Sequence, residues 1–276
     1  MFSIFSYFKF FLVSYFLVGM HIILDTPGGS GLYLSFNIIA WLFVVILIAL
    51  GFWQITLNKK IVYSKMLVWL SFGCLFLCVP AFYSFEFTVH AIPRLLALSG
   101  GLLLLFCLYQ FPVNQSDKHQ LLILILIAVA LESCLGLAQY FFFKEDFWGG
   151  YKVGISRPHG VFLQPNVMAS FMATGLAIAL FISTQFTKVK PKVSQLLKCL
   201  VYFSLFSTSF LLVVLQSRSG YLSALLVLAL IFPYLYQQNR KQLTINMAVV
   251  AFSVFVALIS FQSADVAKRG SDAYQS

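Results

Sequence analysis

Charge is scarce in this sequence, and negative charge scarcer still: 9% of its 276 residues are charged, with 8 Asp and Glu against 18 Lys and Arg. A water-soluble domain needs a hydrated surface. A chain that is 61% hydrophobic, holds 31 phenylalanines and has a mean hydropathy of +0.93 has too few polar residues to cover one. Paired cysteines are missing too: Cys74, Cys78, Cys107, Cys134 and Cys199 all fall in apolar segments, without the spacing of a zinc site or a disulfide framework. Cys74 and Cys78, four residues apart, read as core filling. The four histidines show no ligand spacing, so neither a metal nor another cofactor is expected. No repeat, low-complexity tract or linker divides the chain, which predicts a single membrane domain over 1–276. No small-x-small cleavage site follows Met1 to Leu24, so that stretch reads as a first anchor and not as a signal peptide. The net charge of +10 is spread singly and in small groups between apolar runs, which carries topology and points to no nucleic-acid partner.

What the chain does have is apolar runs of about 20 residues, each enough to cross a hydrocarbon core of ~30 Å. They predict an all-α fold, a polytopic transmembrane helix bundle of about nine spans. The spans run from Ile4 to Leu24, Leu32 to Leu57, Met66 to Tyr83, Leu95 to Phe111, Leu121 to Phe143, Gln164 to Thr184, Cys199 to Ser217, Tyr221 to Tyr236 and Asn246 to Gln262. A closed barrel is excluded because the runs are continuously apolar and do not alternate. With the N-terminus cytoplasmic, eleven Lys and Arg fall inside and seven outside, which predicts that orientation and an external C-terminus. Inner cations are mostly lysines in short loops. Three outer ones are arginines near helix ends: Arg94, Arg157 and Arg218.

The polar centre is Gly154 to Asn166, where Arg157-Pro158-His159-Gly160 and Gln164-Pro165-Asn166 gather between two apolar runs. Proline holds the strand extended and glycine permits a turn back to the membrane. Pro165 fits the first turn of a helix whose free N–H groups and positive dipole end lie beside Arg157, a fit to the oxygens of a diphosphate. An ordinary re-entrant loop is the other reading. Arginine's planar fork suits phosphate; pairing of these arginines with Glu86, Glu145 or Asp146 is the alternative. Arg218 is confined to Ser217-Arg218-Ser219-Gly220, a crossing too short to wander, where it binds phosphate or snorkels at the interface. Glu132 falls half-way along the fifth run, with Ser133, Gly136 and Gln139 at helical spacing. An ionisable group there marks either a substrate cavity or a buried hydrogen-bonded site. His90 and His159 are external, as acids or bases or as bystanders.

The motif Arg157-x-x-Gly160-x-Phe162-x-Gln164-Pro165-Asn166, followed by the small-residue helix Ala169 to Ala179, resembles the O-antigen ligase and O-antigen polymerase superfamily. It looks most like the branch of pilin-type protein O-oligosaccharyltransferases. Glu132-Ser-x-x-Gly136-Leu-x-Gln139 upstream and Ser217-Arg218-Ser219-Gly220 downstream sit where such proteins carry similar segments. The resemblance implies a bacterial inner-membrane glycosyltransferase, inverting and metal-independent. It would move a glycan from undecaprenyl pyrophosphate to a lipid A-core sugar, a growing glycan or a protein hydroxyl, with membrane lipids as its other partners. Arg157 and Arg218 would bind the donor pyrophosphate, with Arg94 assisting, while Glu132, Gln139, His159, Gln164 and Asn166 would support the cavity and helix start. Family members continue into a large periplasmic loop that supplies a histidine base, and then into further spans. Nothing up to Ser276 matches that loop, so the chain is expected to be a truncated, inactive or split form and no catalytic base is assigned. A multi-span transporter or flippase of a lipid-linked sugar or other solute is the competing class, favoured by the deep charge of Glu132.

Overall fold

The computed structural model describes residues 3–21, 34–79, 88–143, 147–148, 151–152, 157–162, 164–184, 186 and 191–274. They form nine α-helices: α1 (Ile4–Leu17), α2 (Leu34–Asn58), α3 (Lys65–Cys78), α4 (Thr88–Tyr109), α5 (Gln115–Phe141), α6 (Pro165–Ser183), α7 (Pro191–Leu215), α8 (Arg218–Gln238) and α9 (Arg240–Tyr274). Two-residue strands β1 (Phe147–Trp148) and β2 (Tyr151–Lys152) pair antiparallel, Phe147 opposite Lys152 and Trp148 opposite Tyr151. Short 3-10 turns cover Gly19–His21 and Gly160–Phe162.

Among the described residues each expected apolar run is helical, but the ends move, and 32–33 and 80–83 of the second and third runs lie outside the described residues. α5 begins six residues before Leu121 because Asn114 and Asp117 cap it reciprocally: Asp117 N donates to Asn114 Oδ1 at 2.8 Å and Asn114 N to Asp117 Oδ2 at 3.2 Å. α7 and α9 begin at Pro191 and Arg240, ahead of Cys199 and Asn246, because polar first turns extend the apolar runs. α1 stops at Leu17, and the rest of the expected span after His21 lies outside the described residues. Seven helices are long and apolar enough to cross a membrane by length and composition. Lys65–Cys78 and Leu95–Tyr109 are apolar but shorter; 14 residues rise only about 21 Å. The pattern is that of a multi-pass membrane protein.

The chain divides into two compact units, Met1–His119 and Gln120–Ser276. In the first, α2 packs on α1 and α4, and α3 on α4. Phe8, Leu47 and Phe111 form its core. Gly51 is required for the α2–α4 approach, since a Cβ there would overlap Cys107. Gln110 serves the extended 61–63 segment as a backbone strand would, its Nε2 donating to Val62 O at 2.8 Å and its Oε1 accepting from Val62 N at 2.9 Å.

The second unit is built around α6, which packs on α7 and α8, while α7 also packs on α9. Met168, Ala169, Met172, Ala173, Leu176 and Ala179 of α6 are all buried. In a membrane, where apolar side chains gain nothing by leaving lipid, close van der Waals approach drives association. Small residues make that approach possible. Gly175 leaves room for Val129 of α5, Gly136 of α5 for the Met168 side chain, and Gly220 of α8 lies where a Cβ would stand 2.6 Å from Ala169 Cβ.

Candidate functional site

The turn between β2 and α6 is fixed by two side chains two helical turns apart on one face of α5. Gln139 Oε1 accepts from His159 N at 3.0 Å and Gly160 N at 2.9 Å, and Glu132 Oε2 accepts from Val161 N at 3.3 Å. Two converging N–H groups require the oxygen, not the nitrogen, of the Gln139 amide to face the turn. Three successive backbone donors, the first two buried and the third part-buried, are thus taken up by α5. Glu132 is fully buried, and Gln139 is 4% and His159 2% exposed. The backbone can present these donors because Gly160 has φ +58°. A Cβ there would also lie 2.5 Å from Glu132 Oε2. On the same α5 face Ser133 Oγ donates to Met172 Sδ at 3.3 Å. Glu132 is thus a buried, hydrogen-bonded group.

His159 Nδ1 pairs with Gly160 O at 2.9 Å, which makes Nδ1 the protonated nitrogen. Burial pushes the imidazole below its ordinary pKa. The Gly160 carbonyl bond and the negative charge of Glu132 oppose that shift. The ring is buried inside the turn.

Downstream, Phe162 packs against Phe171 with ring centroids 5.2 Å apart, steering the chain into α6. Gln164 is the N-cap in extended conformation, and its carbonyl accepts from Val167 N and Met168 N, both at 3.1 Å. Its side chain makes no cap bond, Pro165 opens the helix, no acid lies in the first turn, and Asn166 is exposed. No acid of its own first turn offsets the positive end of the helix.

Upstream, exposed Arg157 reaches across to the end of α7. Its Nη1 donates to Leu215 O and Gln216 O, both at 3.0 Å. These are orphan carbonyls at a helix C-terminus, where a cation is favourable. Gln216 itself turns the chain with φ +47°. Ser217 then caps α8, its Oγ accepting from Gly220 N at 3.1 Å and meeting Ser219 Oγ at 3.0 Å. Arg218 is the first residue of α8 and is exposed. Arg157 and Arg218 therefore belong to one corner, the break between α7 and α8.

Of the expected site residues, Arg157, His159, Glu132, Gln139, Gln164 and Asn166 cluster on or under one turn, with Arg218 at the corner that Arg157 caps. The acids proposed as alternative partners of the arginines, Glu86, Glu145 and Asp146, lie outside the described residues, as do the side chains of Arg94 and His90. Sequence reasoning missed the α7 carbonyls as partners of Arg157. It also missed a second buried polar cluster, in which Asn246 Nδ2 donates to Ser183 Oγ at 2.7 Å and Gln242 Nε2 to Tyr202 Oη at 3.1 Å. The signal for that cluster was available as amides four residues apart at the start of an apolar run.

The family described as protein glycosylation ligase matches residues 158–181, the turn from Pro158 and α6 as far as Phe181. No curated protein and no solved structure matches the chain. Over that short stretch, which coincides with the turn pinned by α5 and the helix it opens, the match supports an O-antigen ligase-like family and suggests a membrane enzyme of the protein glycosylation ligase kind.

Proposed function

We propose that the chain is an O-antigen ligase-like membrane glycosyltransferase, similar in motif to the pilin-type protein O-oligosaccharyltransferases, that moves a glycan from undecaprenyl pyrophosphate to an acceptor hydroxyl. The observation that carries the reading is the coincidence of the matched segment 158–181 with a turn hydrogen-bonded to α5, whose flanking arginine is held at the α7–α8 corner. In this reading the protein lies in a bacterial inner membrane as a single domain of nine spans, N-terminus cytoplasmic, with Arg94, Arg157 and Arg218 on the periplasmic side.

The donor pyrophosphate sits at the corner. Arg157 spends Nη1 on the α7 carbonyls and keeps its remaining guanidinium donors for phosphate oxygens. Arg218, Ser219 and the α8 start complete the anion cradle, and Arg94 assists. The acceptor oxygen attacks the anomeric carbon, the sugar–phosphate bond breaks, and its electron pair leaves on the pyrophosphate. Fixed cations stabilise that leaving group more in the transition state than in the bound donor. The acceptor's proton goes to a base that is not assigned among these residues. Glu132, Gln139 and His159 shape the turn, and Gln164 and Asn166 shape the helix start.

Membrane vesicles holding the protein and a labelled undecaprenyl-pyrophosphate glycan test the reading. Label appearing on a protein, glycan or lipid A-core hydroxyl, with loss of transfer in Arg218→Ala, supports it. Movement of intact lipid-linked glycan across the vesicle with no cleaved sugar–phosphate bond would instead establish the transporter.

A further inference from the structure

Between Asp146 and Asp265 the sequence holds nine Lys and Arg and not one Asp or Glu, so the cations from Lys188 to Lys241 have no acid nearby in sequence. Three of them gather at one end of the α7–α9 pair, remote from the Arg157 corner. Lys198 lies one turn before Tyr202 on α7, and the Tyr202 hydroxyl accepts from Gln242 Nε2 at 3.1 Å. The Gln242 backbone N–H in turn donates at 3.0 Å to Oδ1 of Asn239, the residue before Arg240 and Lys241. Lys198 Nζ stands 5.8 Å from the centre of the Phe186 ring, which meets Tyr202 edge-on at 6.0 Å. The Arg240 guanidinium carbon stands 4.4 Å over the Tyr236 ring, itself stacked on Phe232 at 6.3 Å. The three cations are exposed, and their side chains have no hydrogen-bond or ion-pair partner among the described residues.

Amphipathic rings beside long cationic side chains mark the headgroup level of a bilayer. Stacking on Tyr236 orients the Arg240 plane and leaves its N–H edges for oxygen acceptors. Three like charges without a counter-charge repel one another, which a bound anion relieves. Exposed Leu225 and Phe232 lie on the same face of α8 as Tyr236 and lead away from this end, so an anion carrying acyl chains has an apolar face beside its phosphate. We propose that Lys198, Arg240 and Lys241 form a binding surface for the headgroup of an anionic phospholipid at the α8–α9 turn. The inference is independent of the glycosyltransferase reading.

Purified full-length protein, freed of co-purified lipid and titrated with phosphatidylglycerol or phosphatidylcholine of the same chains, tests it by native mass spectrometry. Wild type is expected to bind phosphatidylglycerol at least about ten-fold more tightly, and Lys198→Gln, Arg240→Gln and Lys241→Gln each lower that affinity about five-fold. The triple variant falls to the phosphatidylcholine level. Lys118→Gln, an exposed cation of α5 outside both proposed sites, leaves the preference intact, and half-molar salt weakens it. Equal binding of the two lipids by wild type, or unchanged preference in all three single variants, would overturn the proposal, as would displacement of the lipid by millimolar inorganic phosphate.

Discussion

Gly160 meets two demands at once, a left-handed backbone and the absence of a Cβ beside Glu132 Oε2. Gly160→Ala should therefore cost about 1–3 kcal/mol from the backbone alone, with the contact adding to it, read as a lower midpoint in thermal unfolding of the detergent-solubilised protein. Gln139→Leu is close in volume but strands the N–H groups of His159 and Gly160. Buried unmet donors cost about 1–3 kcal/mol each, so hydrogen exchange at 159 and 160 should accelerate while exchange in α9 stays unchanged. Gln139→Glu keeps an acceptor and should slow that exchange again. For His159, burial places the folded pKa below the ordinary 6.5, so the unfolded chain takes up the proton first. This group's contribution to stability is complete above about pH 6.5, declines as the pH falls from there toward the lowered value, and is lost below it. His159→Gln should remove that pH dependence from the unfolding midpoint. The polar stripe of Glu132, Ser133, Gly136 and Gln139 was legible because helical spacing puts these residues on one face. That its oxygens would meet three consecutive N–H groups was not legible, because the partners lie 20 to 29 residues along the chain and depend on how the turn folds back.

At the scale of elements, the corner between α7 and α8 rests on two caps of opposite polarity. Arg157 serves the carbonyl end of α7 and Ser217 the N–H end of α8. Ser217→Ala should cost about 1 kcal/mol, the usual worth of an N-cap hydroxyl. Arg157→Ala, at an exposed position, should cost no more than about 1 kcal/mol, with Arg157→Lys intermediate in the same unfolding assay. Modest stability loss in Arg157→Ala leaves room to read its effect on ligand binding separately. The helices themselves were legible, since about 20 apolar residues leave the backbone no other way to satisfy its polar groups in lipid. Their ends were not. α5 and α7 run past the apolar stretch into polar residues because capping by Asn114 and Asp117, or a proline at the start, extends a helix at no cost in burial. Nor could the sequence choose between carboxylates and carbonyls for Arg157, since the Leu215 carbonyl is 58 residues away.

At the scale of the whole molecule, the claim is that one membrane face carries an anion site at the α7–α8 corner. The cation count predicts that Lys59 and Lys241 lie on the cytoplasmic side, with Arg157 and Arg218 opposite. Single cysteines at Asn58 and Gln238, in a background lacking the native five, should label with an impermeant reagent only from the cytoplasmic side, and one at Ser219 only from the other. The same label reaching Gln238 and Ser219 from one side would contradict α8 as a crossing. The most direct test of the central claim is the affinity of the purified chain for undecaprenyl pyrophosphate against undecaprenyl monophosphate, measured for wild type, Arg218→Ala and Gln139→Leu. The account expects wild type to prefer the pyrophosphate at least about ten-fold. Arg218→Ala should lose most of that preference by removing a charged donor, worth about 1.5–3 kcal/mol, and Gln139→Leu should weaken it by loosening the turn that carries Arg157. Equal affinity of wild type for the two lipids, or a preference that survives Arg218→Ala and Arg157→Ala unchanged, would contradict it.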